Sequence, residues 1–343
     1  MEFTLGVRME VRVGPEDVGR RVSVRSLTGD ASPGTRFTDT LGVLTHWSAE
    51  RVVVTRRDGT AVTLTTSDVV AAKVVPAAPA RRGGAPSAGI AEVTRVAARG
   101  WPPLVTREQD GWLLRAAEGW TNRANSAVPA TDDAAGEERL DLDAVRRWYA
   151  ERGLPALLHV PTGGGAGGRE LLAERLAGLG WTAEKPAVVR VAPLAPLADR
   201  APDPRVSVGR ELTGRWLRGY RNADRDPAAA RRLLPAGPSV LFATVARDDD
   251  SGGCDGDGLP AAVGRCVVDG RWAGFASIEV APDRRRRGLA RAVMAELARA
   301  ALAEGASAAY LQVERDNAPA HTLYERLGFT VHHHYHYRRA PLP

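Results

Sequence analysis

At 343 residues the chain is long enough for two or three domains with cores of their own. A hydrophobic content of 44% beside 26% charged residues is that of a water-soluble globular protein, and no apolar run approaches a membrane span. The net charge of +6 comes from 47 basic residues with only two lysines, Lys73 and Lys185, alongside heavy Ala, Gly and Pro use. That bias points to a GC-rich genome as much as to a basic surface, so nucleic acid is not the expected partner.

Residues 1–75 are rich in short β-type runs, among them Arg20 to Arg25, Leu41 to Trp47, Arg51 to Arg56 and Ala61 to Thr65. Asp58-Gly59 between the last two is a hairpin signal, because both residue types tolerate positive φ. Four or five short strands in so few residues predict a small SH3-like β-barrel. A peptide or protein partner is one use of such a barrel, and Arg20, Arg21, Arg56 and Arg57 would suit an acidic one. Residues 76–89 are a Pro/Ala/Gly linker by composition.

The next segment, 90–192, has a strand at Gly111 to Arg115 and a helix at Leu142 to Arg152 with Val145, Trp148 and Tyr149 on one side. A strand at Leu157 to Val160, a Gly-rich turn and a helix ending in Leu179-Gly180-Trp181 follow. The glycine run at 163–168 has no Walker or G-x-G-x-x-G spacing and is expected to be a plain loop. A second Pro-rich linker is expected at 193–204.

From 205 to 343 the pattern gives helices at Glu211 to Tyr220 and from Pro227, then strands at Val240 to Ala246, Ala261 to Val268 and Trp272 to Val280. The acidic, Gly-rich insertion at 248–258 lacks the twelve-residue calcium-loop pattern. After Val280, Pro282 and Asp283 stop the strand, and Leu289, Val293, Met294, Leu297 and Ala301 start a helix that Gly305 ends. Arg285-x-x-Gly288-x-Ala290 therefore occupies a tight strand-to-helix turn. Unpaired N–H groups and the helix dipole attract phosphate there, and Gly288 and Ala290 let it come close.

Val280-x-Pro282-x-x-Arg285-x-x-Gly288-x-Ala290, followed by a strand, Asn317-x-x-Ala320-x-x-x-Tyr324 and Leu327-Gly328-Phe329, resembles the signatures of the GNAT superfamily of acyl-CoA-dependent N-acyltransferases. The resemblance implies an α+β fold with a mixed, mostly antiparallel sheet flanked by helices. The strand–helix–Leu179-Gly180-Trp181 echo makes 90–192 a degenerate GNAT-like half without the phosphate turn, ahead of a catalytic GNAT domain at 205–343. The whole order is similar to GNAT proteins of GC-rich bacteria, some labelled N-acetylglutamate synthase.

That resemblance further implies acetyl-CoA as cosubstrate and a small-molecule or peptide amine as acceptor, glutamate among the candidates, with Arg123 or another cleft arginine pairing with its carboxylates. The backbone of Ile278 and Val280 would pair with the pantetheine arm, and Arg285, Arg286, Arg287, Gly288, Leu289 and Ala290 would receive the pyrophosphate. Asn317 would contact the cofactor, and Tyr324, on the same helical face seven residues on, would protonate the leaving thiolate. Asn317 also suits a helix N-cap, and Tyr324 lies on a stripe with Ala320, Leu323 and Leu327. Gln312 stands where some members carry a glutamate base, and an amide cannot take a proton. Glu279 is the first candidate base, Glu314 the second. A non-catalytic acyl-CoA-binding or adaptor role acting through the barrel is the rival reading.

His332, His334 and His336 alternate on the last strand, but no Cys or carboxylate keeps zinc spacing with them, and no metal is expected. Cys254 and Cys266 are too few for a disulfide framework. With no leader-like start and no membrane span, the expected location is cytoplasmic.

Overall fold

A computed structural model describes residues 11–27, 37–56, 60–75, 86–130, 140–163, 168–247 and 258–342. The chain divides into two compact units, Met1–Gly83 and Gly84–Pro343.

In the first unit, β1 (Val11–Arg12), β2 (Arg21–Leu27), β3 (Phe37–Trp47), β4 (Arg51–Thr55), β5 (Ala61–Thr65) and β6 (Val69–Val74) form one sheet in the order β1-β6-β2-β3-β4-β5. All neighbours are antiparallel except β1 with β6. Alternation along the strands sends Val22, Val24, Leu44, Val52 and Val54 into a fully buried core. On the outer face Arg25 and Asp39 are register partners joined by two 2.8 Å hydrogen bonds. This is a small barrel-like, all-β unit. The Asp58-Gly59 turn and Arg57 lie outside the described residues.

The second unit opens with helix Ile90–Arg99 and a three-stranded sheet of β7 (Val105–Gln109), β8 (Trp112–Ala116) and β9 (Val128–Pro129). Helix Leu142–Ala150, β10 (Leu157–Thr162), helix Gly168–Gly178 and β11 (Thr182–Pro193) complete its first half. The second half runs β12 (Val206–Gly209), β13 (Val240–Val245), β14 (Ala262–Asp269), β15 (Trp272–Val280), helix Leu289–Ala303, β16 (Ala308–Glu314), helix Ala318–Arg326 and β17 (Thr330–Arg339). The insertion at 248–257 and the glycines at 164–167 lie outside the described residues.

The two halves are not separate domains, as the sequence had suggested. They share one eight-stranded sheet, ordered β10-β17-β11-β16-β15-β14-β13-β12. Strand β10 pairs with β17, and β16 pairs with β11, so each half lends its last strand to the other half's preceding one. The echo between β10–helix–β11 and β16–helix–β17 is visible in the turn after each helix. Gly180 (φ 79°) and Gly328 (φ 86°) are left-handed, and each is followed by a buried aromatic, Trp181 or Phe329.

Two further expectations are corrected. Stretch 193–204 is not simply a linker: Leu194–Ala198 is a short helix with Leu194 and Leu197 buried, because two leucines three residues apart share one face over the core. The helix expected at 211–220 is only Gly214–Arg218, since the Thr213 side chain accepts from Trp216 N at 3.1 Å and caps it late. Fully buried Arg265 donates to the carbonyls of Leu234 (2.7 Å), Ala236 (2.8 Å) and Gly100 (3.0 Å), tying the two halves together. Burial pushes its pKa down to about 10, still high enough to keep the charge at neutral pH.

Candidate active site

Strands β15 and β16 are parallel, with helix Leu289–Ala303 crossing between them. They pair only from Trp272–Ala308 to Phe275–Leu311, then part, although both continue. A bulge in β15 is the physical cause. Opposite β14 the register jumps from Arg265–Ala276 to Val263–Glu279, and Ser277 takes φ 53°. Gly264 faces the bulge, where any Cβ would collide with the side chains of Val293 and Ile278. The parting leaves the β15 edge beyond Phe275 open towards β16. The buried Ser277 hydroxyl has no hydrogen-bond partner among the described residues. A space of about 60 Å³ at the base of this wedge is lined by Phe275, Ala276, Ser277, Tyr310, Gln312 and Arg123. An unpaired strand edge with an orphan hydroxyl suits an extended, amide-bearing chain.

Ile278 and Val280 are half-buried at that edge, and the turn beyond them opens to solvent. Gly288 caps helix Leu289–Ala303 with φ 78°, and the first intrahelical bond runs from Ala292 N to Gly288 O. The N–H groups of Leu289, Ala290 and Arg291 precede it and are unsatisfied by the helix itself. A Cβ on Gly288 would meet nothing within 4 Å, so space above the turn is free for an anion. Arg285, Arg286 and Arg287 are exposed and have no ion pair among the described residues. The Leu289 side chain is buried in the core, which leaves only its backbone for binding. Asp283 is occupied by Arg247 and Arg284.

A cavity of about 720 Å³ lies alongside the wedge, between loop 118–123 of the first half and segment 220–226 of the second. Both candidate bases, Glu279 and Glu314, line it. Arg221 donates from Nε to Glu279 at 3.1 Å and holds it in place. The Glu314 side chain makes no hydrogen bond to a described residue. Gln312 is a support rather than a base: its side-chain oxygen accepts from Arg123 Nε at 2.9 Å. Arg123 lies 5.9 Å from the Trp101 ring, whose position Arg265 shares at 4.7 Å.

Tyr324 is half-buried, 5.9 Å from Phe329 in a T-shaped contact. Burial raises its pKa to about 12, with the nearby Arg123 charge pulling the other way, so the phenol is protonated at neutral pH. Its hydroxyl has no hydrogen-bond partner among the described residues. Asn317 caps its helix, its Oδ1 accepting from Ala320 N at 3.3 Å; the amide NH₂ remains available to a ligand.

The structure brings Glu279, Glu314 and Arg123 to the cavity and Arg123 and Gln312 to the wedge base, with the phosphate-type turn following the end of β15 that carries Glu279. Sequence reasoning missed Ser277, Arg221 and Tyr335 at the wedge and cavity, since nothing local marks them. Lys185 carried a faint signal, one of two lysines and next to Pro186 inside a strand pattern. Along β17, His333, Tyr335 and Tyr337 are buried, His332 and His336 are half-buried and His334 is exposed. Among the described residues no group of three His, Cys, Asp or Glu is placed to hold a metal. No helix among them is long and apolar enough to cross a membrane.

The family model described as the C-terminal part of probable histone acetyltransferase Rv0428c matches residues 87–338. The probable histone acetyltransferase Rv0428c of Mycobacterium tuberculosis is 31% identical over 328 residues, covering 93% of this chain and 94% of its own length. The uncharacterized N-acetyltransferase YobR of Bacillus subtilis is 26% identical, covering 73% of this chain and 98% of its own. A solved GCN5-related N-acetyltransferase from Kribbella flavida superposes with a TM-score of 0.51 at 17% identity, covering 75% of this chain and 98% of its own; that likeness is one of fold.

Proposed function

This chain belongs to the GNAT superfamily of N-acetyltransferases, in the family of the mycobacterial probable histone acetyltransferase, and from that premise we propose that it moves an acetyl group from acetyl-CoA to a primary amine by direct attack in a ternary complex. The observation that carries the reading is the parting of β15 from β16, with a phosphate-type turn following the end of β15 and a carboxylate-lined cavity alongside the wedge.

The pantetheine arm pairs with the open β15 edge at Ile278 and Val280, and the Ser277 hydroxyl gains a partner there. The pyrophosphate sits on the N–H groups of Gly288 to Ala290, with Arg285, Arg286 and Arg287 adding charge. Asn317 offers its free amide to the donor. In the cavity Glu279, directly or through water, takes the proton of the attacking amine, with Glu314 as the second candidate. The amine nitrogen bonds to the thioester carbon, the C–S bond breaks, and Tyr324 donates to the departing sulfur. A phenol near pKa 12 binds its proton more tightly than an ordinary thiol near ~8.5, so Tyr324 acts first as a hydrogen-bond donor to the thiolate. The acceptor is a small or peptide-borne amine; the relative's name would make it a histone.

An amine screen with acetyl-CoA, following CoA release by wild type and Tyr324→Phe, tests the reading. Calorimetry should give one acetyl-CoA per chain, because the first half has no phosphate turn. Two bound donors, or none, would overturn it.

A further inference from the structure

The cavity holds more positive charge than its own carboxylates use. Arg221 is taken by Glu279 and Arg339 by Glu184, but Arg123, Lys185 and Arg225 have no carboxylate partner among the described residues. Arg123 stands out because it lies on the floor, shared by the cavity and the wedge base. An uncompensated guanidinium in such a place is costly unless something neutralises it.

Its surroundings hold it there. Asn125, buried, accepts from Ala117 N (2.7 Å) and Gly119 N (2.9 Å) and donates to Thr121 O (2.8 Å), so the loop carrying Arg123 is pinned. Gln312 then fixes the guanidinium through Nε without cancelling its charge, which a glutamate at that position would do. Lys185 at the rim sits in a second bulge, where the β11–β17 register shifts between Glu184 and Ala187 and Lys185 adopts φ 46°. Bulges re-aim side chains, and this one lines the cavity.

We propose that Arg123, supported by Lys185, is the anion anchor of the acceptor site, and that the acceptor is an amine that also carries a carboxylate. The proposal rests on the transferase reading and deepens it. Glu279 and Glu314 receive the amine end, and the planar fork of Arg123 receives the carboxylate, which it matches better than a point charge does. A lysine-rich tail would bring further positive charge to Arg123, Lys185 and Arg225.

Matched amine pairs test this: an α-amino acid and its carboxamide, 4-aminobutyrate and butylamine, and a short peptide with free or amidated C-terminus. Turnover is read by CoA release, and binding to the CoA-loaded protein by calorimetry. Wild type should favour the carboxylate member of at least one pair by ~10²-fold in kcat/KM, the upper end of the loss when a buried polar group is left unsatisfied. Arg123→Gln, and Gln312→Glu, which is nearly isosteric and keeps the fold, should each collapse that ratio towards one while acetyl-CoA affinity is retained. A wild-type ratio near one in every pair, a preference for the neutral members, or no binding of any carboxylate amine would overturn the anchor. So would an equal loss for both members in Arg123→Gln, which would make Arg123 a general contributor to rate. Failure of wild type to bind acetyl-CoA would overturn the transferase reading as well.

Discussion

The indole Nε1 of Trp120 donates to the backbone carbonyl of Asn222 at 3.0 Å, linking the loop of the first half to the segment of the second that closes the cavity from the other side. The same ring packs 6.2 Å from Trp101 and 6.5 Å from Tyr220. The cavity therefore has walls from both halves, and one hydrogen bond helps set its width.

Trp120→Phe keeps an aromatic ring and removes that bond, a loss of about 1 kcal/mol. The expected outcome is a KM for the acceptor raised several-fold with acetyl-CoA affinity unchanged. Steady-state kinetics with each substrate varied in turn checks it; a change confined to acetyl-CoA would contradict the two-walled cavity.

Gly288→Glu should abolish acetyl-CoA binding and leave the fold intact, since the new carboxylate enters open space and repels the pyrophosphate. Gly288→Ala should cost about 1 kcal/mol of stability through its left-handed φ of 78°, with a smaller effect on binding. Calorimetry and urea unfolding separate the two effects, and unchanged affinity in Gly288→Glu would remove the turn from the donor site.

Tyr324→Phe is expected to lower kcat by roughly 10²–10⁴ with little change in acetyl-CoA affinity. Because burial holds the phenol near 12, its ionisation should not limit kcat until well above pH 10. Any basic limb below that belongs to another group and should persist in Tyr324→Phe. Glu279→Gln should remove the acidic limb of kcat/KM and leave activity recoverable at high pH, where the amine deprotonates unaided. If the limb survives, Glu314→Gln is the variant that should remove it.

His333 predicts acid sensitivity. Burial, reinforced by His332 and His334, lowers its pKa to about 3, and its Nδ1 lies 2.7 Å from that of His332. The folded state keeps the ring neutral, whereas the unfolded chain protonates it below ~6.5. Its contribution is therefore complete above that pH and is lost as pH falls towards 3, by roughly 1.4 kcal/mol per unit. Urea midpoints between pH 7 and 4 should fall in wild type and fall less steeply in His333→Gln, which cannot take the proton. Equal slopes would contradict it.

What the sequence determined by itself is what neighbouring residues decide together. The β-rich start, the strand-to-helix turn at 282–290, the Asn317 cap and the Leu179-Gly180-Trp181 echo of Leu327-Gly328-Phe329 are each set by side-chain periodicity, φ preference or hydrogen bonding within a few residues. The GNAT signature was legible because its two motifs lie on one such local turn and one such capped helix. The tertiary structure alone decided the exchange of β11 and β17 between halves, since backbone pairing is indifferent to which strand supplies the N–H and C=O groups. It also decided the cavity between loop 118–123 and segment 220–226. Arg123 and Gln312 are 189 positions apart, and Trp120 and Asn222 are 102 apart. Nothing local to any of the four indicates its partner, because their contact is made only once both halves have folded onto one sheet.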